Sequence, residues 1–173
     1  AMGCKCIELE GFEADDIIGT VSRICDENNV ACSILTGDKD DLQLCSENTV
    51  VKLVVTRMGN TTTTPYDDKG VYEKFGVTPA EYIDVKGLMG DPSDNIPGVK
   101  GVGEKTAFSL IQKYGSIENI YDKIDEIEVT NSVRTKLKDG EDMAKMSKTL
   151  ATIVRDVPIE FDFEDYKLSL IHI

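Results

Sequence analysis

Seven carboxylates in three short runs carry the chemistry this sequence suggests. Glu13, Asp15 and Asp16 sit in Gly11-Phe12-Glu13-Ala14-Asp15-Asp16, Asp38 and Asp40 follow Thr36-Gly37, and Asp91 and Asp94 lie in Gly90-Asp91-Pro92-Ser93-Asp94-Asn95. Each run also has a purely structural explanation. Acids in a helix's first turn favour its dipole and cap free amides, Asp38 can cap the amides beyond it, and Asp-Pro and Ser-Asp-Asn form turns with their own backbone. These explanations leave a remainder. Glu13 and Asp16, three apart, would share a helix face, and a cap accounts for one aspartate of Asp38-Lys39-Asp40-Asp41, not for all of them. If the three runs converge, their mutual repulsion demands divalent cations or strongly raised pKa values. Hard oxygen ligands without His or Cys select Mg²⁺ or Mn²⁺. A zinc site is disfavoured, because the five cysteines form no CxxC pair and the single histidine, His172, lies in the tail. An EF-hand loop is disfavoured too, because the run after Asp38 lacks the later glycine and terminal glutamate.

A second constellation lies beside the third run. Gly98-Val99-Lys100-Gly101-Val102-Gly103-Glu104-Lys105 places glycines, whose backbone amides can approach a phosphate closely, before a helix N-terminus, with Lys100 and Lys105 adding positive charge. A tight interhelical turn needing glycine for positive φ explains the same spacing. The form apolar-Gly-apolar-Gly between two short helices is the helix-hairpin-helix pattern, a sequence-independent binder of DNA backbone.

The elements that must position these groups follow from periodicity. Cys4 to Leu9 is expected to be a strand. Apolar residues at Ile17, Ile18, Val21, Ile24 and Cys25 predict an amphipathic helix ending near Asn28-Asn29. Val30 to Thr36 reads as a buried strand, Asp38 to Leu44 as a short helix, and Thr49 to Thr56 as a further strand that Gly59-Asn60 turns into an edge hairpin. The β-α-β-α-β order predicts an α/β core with a largely parallel sheet. After Tyr66 the strand signals stop, and Thr78-Pro79-Ala80-Glu81 and Ser116-Ile117-Glu118 introduce short helices. The expected division is an α/β unit over 4–66 and a helical unit with the hairpin over 67–168. Residues 169–173 carry no usable pattern.

Composition bounds the rest. At 173 residues, with 40% apolar and 29% charged residues and no apolar run of bilayer length, the chain reads as a soluble globular protein with no membrane partner. An odd cysteine count without a signal peptide suggests a reducing, cytoplasmic setting. The net charge of −13 opposes unspecific binding to phosphate backbones unless cations or a local basic face intervene.

Gly11 to Gly19 (GFEADDIIG), Thr36 to Asp40 (TGDKD) and Leu88 to Ala107 (LMGDPSDNIPGVKGVGEKTA) resemble the 5'-nuclease domains of bacterial DNA polymerase I, relatives of the flap endonucleases. The likeness runs from about Cys4 to about Leu168, and Leu150-Ala151-Thr152-Ile153 and Asp156-Val157-Pro158 are similar to the end of that domain. It implies a PIN-like 5'-nuclease core and structure-specific 5'-3' exonuclease and flap endonuclease activity in DNA replication and repair, by a two-metal mechanism. Glu13, Asp15 and Asp16 would serve the first ion, with Asp38, Asp40, Asp91 and Asp94 completing that site or forming the second. Gly98, Lys100, Gly101, Gly103 and Lys105 would grip duplex DNA bearing a 5' flap or 5' end, with K⁺ held by hairpin carbonyls. Polymerase domains of the same parent chain are an implied partner. In the family a further strand and helix with two more metal-binding aspartates, and a basic helical arch, come before the position of Cys4, so this chain by itself is expected to cleave poorly. Two other readings stand beside this one: a non-catalytic helix-hairpin-helix DNA-binding module, and a PIN-like metal-dependent ribonuclease, against which the hairpin argues.

Overall fold

A computed structural model describes residues 5–167. Its sheet has three strands, β1 (Cys32–Thr36), β2 (Thr49–Arg57) and β3 (Asn60–Tyr66), in that order. β1 and β2 are parallel, with Ile34 opposite Val51, and the connection between them is a 3₁₀ turn over Asp40–Leu44 in place of the expected α-helix. β2 and β3 are antiparallel, because Met58 and Gly59 both take positive φ (49° and 81°) and reverse the chain in two residues. The sheet is therefore half parallel. The expected first strand is absent over residues 5–9, which join no strand among the described residues, and Cys4 lies outside them. An extended segment becomes a strand only when a neighbour takes up its N–H and C=O groups, and among the described residues nothing pairs with the outer edge of β1.

Helix α1 (Ala14–Glu27) packs on β1 and the 3₁₀ turn. Six shorter helices come after it: α2 (Asp68–Phe75), α3 (Pro79–Met89), α4 (Glu104–Tyr114), α5 (Ile117–Asp122), α6 (Asn131–Asp139) and α7 (Glu141–Ala151). The capping residues act as their spacing predicts: Thr78 Oγ1 accepts from the Glu81 N–H at 3.2 Å, and Glu81 Oε2 accepts from the Thr78 N–H at 2.7 Å. One apolar core runs from Ile34 and Val51 through Leu42, Leu44 and Val85 to Ile111 and Leu137, so sheet and helices share an interior. No helix among the described residues is long and apolar enough to cross a membrane.

α3 is the central strut. It touches α4, α5, α7 and the 3₁₀ turn, and residues 84–88 are all buried. Two of those five are charged. Asp84 accepts from the Ile117 N–H at 3.0 Å and meets Lys148 Nζ at 2.7 Å, which ties α3 to α5 and α7. Burial pushes the Asp84 carboxyl above its ordinary range, against the pull of Lys148. We expect Asp84→Ala to lower the free energy of unfolding by about 3 kcal/mol, because it strips a buried amide of its acceptor and a half-buried ammonium of one of its two carboxylate partners, Glu118 being the other. Leu35→Lys, at a side chain 69% exposed on β1, should change it by less than about 0.5 kcal/mol. Urea unfolding of both variants checks the contrast.

Candidate metal centre

The three acidic runs arrive at one place by three routes. Glu13, Asp15 and Asp16 are held at the N-terminus of α1, where the Glu13 N–H donates to Asp16 Oδ2 at 3.2 Å. Asp38 lies just beyond the carboxyl end of β1. Its N–H donates to Thr36 Oγ1 at 3.0 Å and its Oδ1 accepts from the Asp40 N–H at 2.8 Å, an Asx turn that starts the 3₁₀ segment. Asp91 and Asp94 sit in a loop closed by paired backbone hydrogen bonds between Asp91 and Ile96 (2.8 and 2.9 Å), with Asn95 at φ 57°. This places the crevice beyond the carboxyl end of a parallel strand, where open α/β sheets carry their sites.

Glu13, Asp15, Asp16, Asp38, Asp40 and Asp94 line one cleft of about 300 Å³, with Leu150, Ala151, Thr152 and Ile153 among its other walls. Asp91 joins the group from the side: Asp40, Asp91 and Asp94 each present one carboxylate oxygen, and the three oxygens lie within 4.8 Å of one another. The local structural readings of these residues also hold. Asp91 Oδ1 accepts from the Ser93 N–H at 2.8 Å, and Asp16 caps the start of α1.

Sequence reasoning missed three parts of this site. The first is Lys86 on α3, 5% exposed, whose Nζ pairs with Asp40 Oδ1 at 2.5 Å and with Asp91 Oδ2. A lysine between Val85 and Gly87-Leu88 on a largely apolar helix was its only sequence signal. The second is Asp41, fully buried, with neither carboxylate oxygen in a hydrogen bond of normal geometry. The third is the segment after α7, which crosses α1. The Val154 N–H donates to Asp16 Oδ1 at 2.9 Å, the Val157 N–H to Thr20 Oγ1 at 3.0 Å, and Gln43 binds both the Ala151 carbonyl and the Ile153 N–H at 3.0 Å. A Cβ on Gly19 would stand 2.7 Å from Ile153 Cγ2, so α1 accepts this segment only as glycine there.

Electrostatics records the crowding. Burial, then the charges of Asp41, Asp38, Glu13 and Asp40, push the Asp15 carboxyl from 3.8 up to about 6. Burial also raises Asp40 and Asp41; Lys86 opposes the first shift and the nearby Thr36 hydroxyl the second. Asp91 goes the other way, down to about 2, through its hydrogen bonds from Lys86 and Ser93. For Lys86, burial favours loss of the proton, but the hydrogen bonds to Asp40 and Asp91 more than reverse it, and its pKa is raised.

The hairpin comes directly after the cleft. Gly90 (φ 71°) and Gly98 (φ 60°) lie back to back, and a Cβ on Gly90 would stand 2.5 Å from the Ile96 carbonyl oxygen, so the chain turns into the hairpin only with glycines there. Val99 to Val102 form a turn with Gly101 at φ 80°, closed by the Val102 N–H donating to the Val99 carbonyl at 2.9 Å. Gly103, expected to share that need, caps α4 at φ −98°, with open space around its Cβ position. Val99 and Val102 are buried while Lys100, Gly101, Gly103 and Lys105 are exposed, and Lys136 Nζ of α6 donates to the Gly101 carbonyl at 3.2 Å.

The acid shifts set a pH dependence. Asp15 holds a proton more tightly folded (about 6) than unfolded (3.8), so its stabilising effect is complete below 3.8 and is lost as pH rises through 6. Asp40 and Asp41 act in the same direction, and the opposing effect of Asp91 falls below 3.8, between its unfolded value and about 2. In chelator, the protein should therefore have a higher Tm at pH 5 than at pH 7.5, and Asp15→Asn should reduce the difference. Scanning calorimetry at the two pH values decides, and a Tm that falls toward pH 5 contradicts the assignment.

Comparison with known proteins gives the family and the fold. Residues 1–76 match the family model described as 5'-3' exonuclease, N-terminal resolvase-like domain, and residues 77–172 the one described as 5'-3' exonuclease, C-terminal SAM fold. DNA polymerase I of Caldicellulosiruptor bescii is 46% identical over 167 residues, covering 96% of this chain and 19% of the relative. That of Bacillus subtilis is 48% identical over 153 residues, covering 88% and 17%. The chain thus spans about a fifth of the length of these relatives. Among solved structures, T5 5'-exonuclease with bound zinc superposes with a TM-score of 0.73 at 23% identity, covering 86% of this chain and 52% of that one. The catalytic core of Rad2 in complex with DNA substrate superposes at 0.53 and 18% identity, covering 84% and 50%. These likenesses show a shared fold. With family models matching along nearly its whole length, the chain belongs to the 5'-3' exonuclease family.

Proposed function

We propose that this chain is the exonuclease portion of a longer DNA polymerase I, and that its acidic cleft holds divalent ions, Mg²⁺ or Mn²⁺, for hydrolysis of DNA phosphodiesters at 5' ends and flaps. One observation carries the reading: six carboxylates from three separate segments line a single cleft, and a seventh, Asp91, reaches the same group. The donor set fits such ions, being all hard oxygen, with three oxygens close enough to share one cation. Bound there, two divalent ions supply an activated water and stabilise the departing oxygen of the phosphodiester. The chain's own residues do the rest. The α1 N-terminus, the turn after β1 and the Asp91–Ile96 loop fix the ligands on three separately supported elements, and Asp16 is held from behind by the Val154 N–H.

DNA would lie along the hairpin that leaves this loop. Lys100 and Lys105 face solvent beside the exposed Gly101 and Gly103, so amides and ammonium groups can meet phosphates without reading base edges. A K⁺ ion at the hairpin carbonyls would share the Gly101 carbonyl with Lys136 Nζ. The hairpin and the cleft lie on consecutive stretches of chain, joined through Gly98, so a duplex gripped at one is registered against the other. We place the boundary between the nuclease unit and the helical unit at 66/67, where β3 ends and α2 begins. The match covers 52% of the T5 5'-exonuclease, and we expect cleavage by residues 1–173 alone to be slow, since misplacing a reacting group by about 1 Å costs on the order of a hundredfold.

Three measurements test the reading. In calorimetric titration the protein should bind Mn²⁺, and Asp38→Ala or Asp94→Ala should weaken binding by at least about tenfold; unchanged isotherms in both mean the carboxylates do not act together. Binding to duplex DNA should be indifferent to sequence and fall steeply with salt. Exchanging Gly101 for leucine, at φ 80°, should abolish that binding, and equal affinity would move the DNA site elsewhere. On a 5'-flap substrate with Mn²⁺, cleavage should be weak and should vanish in Asp40→Ala. Robust cleavage that Asp40→Ala removes would show that the residues of this chain suffice, and activity surviving Asp40→Ala would place the chemistry elsewhere.

A further inference from the structure

The two halves of the acidic cleft are not alike. Among the described residues, no lysine or arginine forms an ion pair with Glu13, Asp15, Asp16 or Asp38, whereas Asp40 and Asp91 share one, Lys86. That ammonium belongs to the interior. It projects from α3, the most buried helix, is 5% exposed, and has fully buried Val85 and Leu88 as helix neighbours. A desolvated ammonium is retained only when anions compensate it, and here two carboxylates from different segments do so, Asp40 Oδ1 at 2.5 Å and Asp91 Oδ2. The same two carboxylates, with Asp94, bring three oxygens within 4.8 Å of one another.

We propose that Lys86 is a built-in cation of this cleft: it holds Asp40 and Asp91 in ligand positions before any divalent ion arrives, and its charge limits how tightly the Asp40, Asp91 and Asp94 group binds that ion. The proposal rests on the reading of the cleft as a divalent-metal site. Three carboxylates and one fixed ammonium leave a net charge of −2, which a single divalent ion balances. Without Lys86 the group would carry −3. Removing the ammonium then has two opposite effects: the metal-free fold loses the cation that offsets a partly buried pair of like charges, and an incoming ion no longer meets a positive charge bonded to two of its own ligands. Lys86 acts through Asp40 and Asp91 and is a positioning residue. The sign of the effect on metal affinity separates this role from a scaffolding one, because damage to the scaffold would weaken binding.

Mn²⁺ titration of the parent chain, Lys86→Met and Lys86→Gln at pH 7.5, with Asp94→Ala to identify the site concerned, provides the test. Both Lys86 variants should bind Mn²⁺ at the Asp94-dependent site at least about tenfold more tightly than the parent, and should melt at lower temperature in chelator. Parental or weaker affinity in the variants overturns the proposal. If Lys86→Met fails to fold, Lys86→Gln, whose amide can still donate to one carboxylate, decides by the same criterion. A third readout uses the parent alone: the ¹⁵N resonance of Lys86 Nζ should move as Mg²⁺ saturates the protein, and a resonance that stays in place at saturation counts against the proposal. If neither parent nor variants bind Mn²⁺, the metal reading fails and this proposal with it. Binding by a Lys86 variant where the parent shows none would support both.

Discussion

Like charges crowded around one cleft are the constraint on which this molecule turns. Carboxylates repel when crowded together, and burial makes Asp15, Asp40 and Asp41 more costly to ionise. The structure nevertheless collects seven of them around one opening and leaves an eighth, Asp41, buried behind it without a hydrogen bond. A chain selected only for stability would not keep such a group together. Much of the rest of the architecture holds it in place: the helix dipole and amides of α1, the Asx turn at Asp38, the Asp91–Ile96 loop and the ammonium of Lys86 each offset part of the repulsion.

The scaffold distributes that burden over elements of different kinds. The parallel pair β1 and β2 carries Asp38 and Asp40 to the crevice, although β1 is not the buried strand its apolar run predicts, since only Ile34 is buried while Ser33 and Leu35 are exposed; α3 packs against the 3₁₀ turn that carries Asp40. The segment 151–157, remote in sequence from α1, closes the far wall and supplies the amide that fixes Asp16. Because Gln43 and Arg155 bind backbone groups across this seam, the site's geometry depends on contacts between residues more than a hundred positions apart.

Under the proposed function, the hairpin is where so acidic a protein meets a polyanion. Its exposed surface is local, small and carries Lys100 and Lys105, and the buried valines on its other face lock it to the helical core. Association there need not oppose the whole charge of −13, since at physiological salt screening confines each contact to about 8 Å. The acidic cleft and the turn that carries Lys100 and Lys105 are joined by the glycine pair 90 and 98.

By itself the sequence determined the local features. Strand and helix periods, the Thr78–Glu81 capping box and the glycine turn at Gly101 are set by interactions among residues within about four positions, so they are legible from spacing alone; the edge hairpin was legible too, but its turn lies at Met58-Gly59 and not at Gly59-Asn60, because Asn60 already pairs with Arg57. The acidic runs were legible as candidates for the same reason: their density exceeds what caps and turns need. Only the tertiary structure decided the rest. Residues 5–9 do not form a strand because no backbone among the described residues pairs with them along a sheet edge. Lys86 reads as one more surface lysine until α3 is buried on all sides, and Asp41 as one more surface acid until the 3₁₀ turn directs it inward. The closure of the cleft by residues 150–153 has no local signal, because its cause is a set of hydrogen bonds and a glycine contact between distant parts of the chain.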